Sequence, residues 1–193
     1  MSDAQTHGPH HVDAATLRAG LAEVRRSPSD AGIVEMLVVR PAVDARSVVD
    51  RVQVDLQRGL VGDSWLERGN SRTPDGSADP QAQVTVMNSR AALLMAGQRD
   101  RMPLAGDQLY LDLDLSVDNL PTGTVLEFAD AALEVTAAPH TGCSKFTARF
   151  GVDALRLTAT PDGLQLRLRG INARVVRPGA ISVGETVRVV RPD

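Results

Sequence analysis

Residues 109–116, LYLDLDLS, set Leu109, Leu111, Leu113 and Leu115 against Tyr110, Asp112, Asp114 and Ser116. Successive side chains of an extended chain point to opposite faces, so the stretch predicts a strand with one apolar and one polar face. Four leucines on one face need covering partners, and a lone hairpin does not supply enough. The fold therefore depends on how many other segments repeat this period.

Many do. Residues 48–56 alternate Val52, Val54 and Leu56 with Arg51, Gln53 and Asp55, and 33–40 is apolar enough for a buried strand. Residues 83–87 read as a strand, and 125–128 with 132–136 flank Ala129, Asp130 and Ala131 as a hairpin. Leu164, Leu166 and Leu168 alternate with Gln165, Arg167 and Arg169, and 173–176 and 186–190 give two final strands. Helical spacing recurs over 13–26, where Leu17, Leu21 and Val24 share a face and Asp13 can cap, and over about 89–95. Residues 66–81 collect Gly69, Asn70, Ser71, Pro74, Asp75, Gly76, Ser77 and Pro80, a long surface loop of the kind that borders binding sites.

Short strands punctuated by glycine and proline, with two or three helices, predict a mostly β fold. A closed or nearly closed barrel is favoured because closure removes exposed edges, with a sandwich as the alternative. Residues 1–31 read as a mobile N-terminus plus the short helix, and 32–193 as the barrel domain. His7, His10 and His11 fall in that terminus.

The 193 residues suit one domain, which buries about 70% of the surface of its unfolded chain. Apolar residues at 42% and charged residues at 23% exclude disorder for most of the chain. A net charge of −3, scattered arginines and five aromatics (Trp65, Tyr110, Phe128, Phe146 and Phe150) argue against nucleic acid as a primary partner. No apolar stretch reaches the roughly 18 to 20 residues that cross a bilayer, and no secretory pattern opens the chain. With one cysteine, Cys143, a cytoplasmic setting without a disulfide framework or a membrane is expected.

Unusual chemistry concentrates in residues 139–146, PHTGCSKF, just after a predicted strand. Lys145 is the only lysine and stands two positions from the only cysteine. An ammonium near a thiol favours the thiolate, which is both the nucleophile and the soft metal ligand. The alternative is a buried, inert cysteine beside a snorkelling lysine. His140 and Cys143 are two ligands where structural zinc uses four, and no protease signature surrounds the thiol. A second candidate is the glycine turn of 59–63 running into Trp65, a weak phosphate signal alone.

In order along the chain stand GLVGD (59–63), QVT (83–85), GDQL (106–109), DNL (118–120), LEVTAAPHTGCSKF (133–146) and GINARVVRPGAISVGETVRV (170–189). This series resembles the MOSC domain family, named for the C-terminal domain of molybdenum cofactor sulfurase, and covers most of 32–191. The resemblance implies a β barrel, a molybdenum cofactor (molybdopterin), and a cysteine that ligates molybdenum or handles sulfur. Carried over, Cys143 is that cysteine and metal ligand, with Lys145 beside it, and Asp63, Asn119 and His140 would contact the cofactor. Ala82 stands where many members have arginine before QVT, which leaves Arg90 as the replacement anion contact, and Gly142 replaces a common proline. The family also implies reduction of N-hydroxylated substrates, or a persulfide sulfur carrier as the alternative, with a non-catalytic binding module as a third reading. Pyridoxal phosphate binding is a family-level expectation only, since the sequence contains neither the desulfurase portion of large sulfurases nor a four-cysteine iron–sulfur framework. The partners implied are a small molecule or cofactor and an external electron or sulfur donor.

Overall fold

In the computed structural model, which describes residues 11–71 and 73–192, the leucines of 109–116 line the inside of a closed barrel. The chain opens with α1 (Ala14–Val24), capped by the Asp13 carboxylate, which accepts the N–H groups of Ala15 and Thr16. There follow β1 (Ala31–Val39), β2 (Ser47–Val49), β3 (Arg51–Asp55), β4 (Gly59–Leu60) and the single turn α2 (Trp65–Arg68). β5 (Val84–Asn88) runs directly into α3 (Ser89–Ala96), whose N-terminus Asn88 caps. A 3-10 helix over Arg99–Ala105 leads to β6 (Leu109–Asp112), and β7 (Val125–Glu127) pairs with β8 (Ala132–Val135) as the expected hairpin. α4 (Ser144–Thr158), α5 (Pro161–Gln165), β9 (Ile171–Arg177), β10 (Gly179–Ser182) and β11 (Thr186–Val190) complete the order.

Seven strands close the ring in the order β1, β11, β7, β8, β9, β5, β6, and β6 returns to β1. Closure is made by Gly32 opposite Val187 and Ile33 opposite Thr186. Only β5 and β6 run parallel within the ring. β2 extends the sheet from β1, and β3 lies between β10 and β4 in a separate three-stranded sheet. Leu109, Leu111, Leu113 and Leu115 all sit in the barrel interior, although ladder pairing ends at Asp112.

A second core lies outside the wall, where α1, α3 and α4 cover it. Leu17, Leu21, Met87, Met95, Tyr110, Phe146 and Phe150 meet there. Tyr110, on the expected polar face, is fully buried under these helices and donates its hydroxyl to the Met102 carbonyl at 2.9 Å. A period of two identifies two faces; it does not say whether the outer one meets water or another layer.

Two local expectations are corrected and one helix is added. Residues 48–56 are two strands in different sheets, broken at Asp50. The 164–168 alternation is not a strand: Pro161 sits at the start of α5, Thr160 caps it through the Gly163 N–H, and Arg167 turns the chain at φ 45°. α4 escaped the period-two reading altogether, though Phe146, Phe150, Ala154, Leu157 and Thr158 form its buried stripe. It kinks at Gly151, whose φ of 88° suits glycine. Among the described residues, no helix is long and apolar enough to cross a membrane. His7 and His10 lie outside the described residues.

Candidate functional site

Beyond β8 the chain does not stop at the rim. Thr136 is tied to the carbonyl of Gln81, and Asn172 Nδ2 on β9 donates to the carbonyls of Ala138 and Pro139, 3.2 Å each. These bonds carry the segment across β9 and set His140 against Gly170. A Cβ at Gly170, where φ is 101°, would lie 2.3 Å from the Val86 carbonyl oxygen and 3.1 Å from His140 Nδ1, so glycine permits this crossing. Cys143 follows in extended backbone at the N-terminus of α4, its carbonyl accepting the Thr147 N–H at 3.1 Å. Cys143 is exposed, so the alternative of a buried cysteine does not hold.

Beneath this loop lies a group of charges. Asp107, fully buried, accepts from Arg169 Nη1 at 2.6 Å, and Arg169 Nη2 donates to the Ala105 carbonyl at 3.0 Å. The Arg169 guanidinium carbon lies 5.0 Å from the Phe146 ring centre, one turn into α4 from Cys143. Burial raises the Asp107 pKa, against the pull of Arg169. His140 Nδ1 stands 3.5 Å from the other Asp107 oxygen, and burial, Arg169 and Arg40 hold the imidazole well below its usual 6.5.

At the end of β1, Arg40 grips Asp63 through Nε at 2.8 Å and Nη2 at 3.0 Å, and its Nη1 donates to the Gly106 carbonyl at 2.9 Å. Asp63 also accepts the N–H groups of Arg40 and Trp65. This is a buried, bidentate pair with its oxygens satisfied. Arg46 and Arg68 are held below the ordinary arginine value, first by burial and then by like charges: Arg149 and Arg40 for Arg46, Arg40 for Arg68. Arg46 Nε is buried with no hydrogen-bond partner. Asp44 bridges Lys145 Nζ at 3.0 Å and Arg149 Nη2 at 2.8 Å, which ties the β1–β2 loop to α4 and commits the lysine's ammonium to a carboxylate.

Asp63, His140, Cys143 and Lys145 thus fall in one region, linked through Arg40, Asp107, Arg169 and Asp44. Arg90 and Asn119 do not join it. Arg90 pairs with Asp112 at 2.7 Å and Glu23 at 2.9 Å, where β6 finishes; Asp107 stands where β6 begins. Asn119 donates to the carbonyls of Ser29 and Asp114 and accepts from Arg191, again beyond the far end of β6. Arg40, Arg46, Asp107 and Arg169 were missed, although Asp107 lies within GDQL and Arg169 immediately precedes GINARV.

The MOSC domain model matches residues 63–188 of the sequence, more than half of the chain. Among solved structures, the chain is similar to the YuaD protein from Bacillus subtilis, at 19% identity and a TM-score of 0.63 over 84% of this chain and 97% of that one. It is also similar to YiiM from Escherichia coli, at 18% identity and a TM-score of 0.56 over 83% and 71%. At these identities the likeness is one of fold. No curated protein matches the sequence.

Proposed function

The chain belongs to the MOSC domain family, and on that premise we propose that it is a cytoplasmic molybdenum-cofactor-binding protein in which Cys143 is the metal ligand. The observation that carries this reading is the excess of arginine beside the loop that bears the exposed thiol: Arg46 keeps a buried Nε with no hydrogen-bond partner, and burial and the charge of Arg40 lower both Arg46 and Arg68 against the smaller opposing pull of Asp44 and Asp63. A thiolate is a soft donor, and guanidinium groups suit a phosphate, so the donor set fits an anionic molybdopterin. In this reading Cys143 is the single side-chain ligand of a metal carried in by its cofactor.

Cys143 would hold the metal, and Arg46 and Arg68 the phosphate. The bound group would supply two-electron redox chemistry, and N-hydroxylated compounds, reduced with an external electron donor, are the substrates proposed. Arg40 and Asp63 neutralise each other and keep the floor of the site rigid. Phe146 and Arg169 anchor the first turn of α4, and so the position of Cys143.

The test is the molybdenum content of wild type, Cys143→Ser and Arg46→Met made in a cofactor-producing host. Stoichiometric metal in wild type, lost in Cys143→Ser and reduced in Arg46→Met, is expected. Metal absent from folded wild type, with the host's cofactor supply verified, refutes the reading. A second reading, persulfide transfer through Cys143, is favoured by the exposure of that residue, which a donor protein could reach. It predicts sulfane sulfur on Cys143 after incubation with a cysteine desulfurase.

A further inference from the structure

Two buried atoms beside the cysteine loop face each other without a hydrogen-bond partner. They are His140 Nδ1 and Asp107 Oδ1, 3.5 Å apart. The other Asp107 oxygen is fixed by Arg169, itself held by the Ala105 carbonyl and stacked on Phe146. A neutral imidazole carries one N–H, and placing it on Nδ1 satisfies both buried atoms after a small adjustment. Nε2 is then a lone pair. The ring's remaining exposure, 13% of the side chain, lies away from the buried Nδ1.

His140 lines a cavity of about 270 Å³ together with Thr122, Ala138, Leu164, Arg167 and Asn172, and its wall reaches Thr141, two residues from Cys143. Arg167 is partly buried and spends Nη1 on the Leu120 carbonyl at 2.6 Å, which leaves other N–H groups for a ligand. The wall therefore offers an acceptor from a neutral ring and donors from a cation. Asp107, Arg169 and Arg40 are the charges that face the ring; burial and the two arginines keep it neutral, against the pull of the Asp107 carboxylate.

We propose that this cavity is a ligand site read by His140: it takes a small, uncharged amide-type molecule, whose N–H donates to Nε2 and whose carbonyl oxygen accepts from Arg167. Asp107 is the positioning residue that fixes the tautomer. The proposal rests on the functional reading only in treating the cavity as part of the Cys143 site; its recognition chemistry is independent of the metal.

Acetamide and acetate are the probes, since they share a shape and differ in the donor. In the full chain with 15N-labelled histidine, His140 is assigned by the signal lost in His140→Gln. At pH 7 the proton is expected on Nδ1, and acetamide should shift Nε2 as a hydrogen-bond donor does, while acetate leaves it unmoved. His140→Phe should weaken acetamide about tenfold, the scale of one lost hydrogen bond, and His140→Gln, which keeps an acceptor, should retain part of the affinity.

A proton on Nε2 in the free protein overturns the proposal. So does acetate binding that shifts Nε2 as acetamide does, or acetamide that shifts no resonance of His140 at the highest concentration used. Should His140→Phe fail to fold, the wild-type tautomer and the two titrations decide alone. The samples contain no molybdenum, so failure here leaves the metal-content result standing, and the reverse holds too.

Discussion

At His140, burial and the positive charges of Arg169 and Arg40 all oppose protonation. The unfolded imidazole titrates near 6.5, whereas the folded one resists the proton until a much lower pH. Below 6.5 the unfolded state therefore binds a proton that the folded state refuses. The stabilising contribution is complete above that pH and is lost as pH falls toward the folded value, by up to about 1.4 kcal/mol per pH unit. Asp107, raised by burial, contributes with the opposite sign over its own range, stabilising at low pH and losing that contribution as pH rises. Chemical denaturation at pH 7.5, 6.5 and 5.5 is expected to show wild type losing more stability than His140→Gln; equal losses would mean that the ring is not held neutral. Cys143 and Asp63 could be found in the sequence because one is unique and the other ends a motif. Arg40, Arg46 and Arg169 could not, because they are three among twenty arginines and only the folded chain selects which of them share a carboxylate or a buried position.

α4 shows the same limit one level up. Its buried stripe has helical spacing, yet Gly151 interrupts it and no helix is predicted there from the sequence. The helix forms because Phe146 and Phe150, ring centres 5.0 Å apart, are both buried against the barrel wall, so tertiary burial outweighs the local cost of Gly151. α5 is the converse case: three leucines at strand spacing were overruled by Pro161 and the Thr160 cap. By contrast β1, β5, β6, the β7–β8 hairpin and β11 were readable, because an alternating or continuous apolar run has few other uses in a chain with this many turns. Phe150→Ala should cost about 3 to 5 kcal/mol by leaving a cavity between α4 and the wall. Urea denaturation measures it. If α4 is instead loosely docked, the loss will be under about 1 kcal/mol, the scale of a surface substitution.

Closure of the barrel is what brings the two parts of the site together. Arg40 leaves β1 and Asp107 enters β6, adjacent strands, but Cys143 arrives on a segment launched from β8, three positions around the ring from β6. Those positions are held in register through β9 and β5 on one side and through β7, β11 and β1 on the other. An open sheet would keep the first route and lose the second. β11 is therefore a central strand despite being last in the sequence, with Val187 fully buried and Gly32 opposite it. Proline at 187 removes a backbone donor from a strand with neighbours on both sides, and its expected cost is on the order of 3 kcal/mol. Ser47→Pro supplies the contrast: it is exposed, first in β2, and β2 has one neighbour, so under about 1 kcal/mol is expected. Urea denaturation of both variants tests closure directly. A Val187→Pro protein as stable as Ser47→Pro would mean that β11 behaves as an edge and that the ring is open in solution.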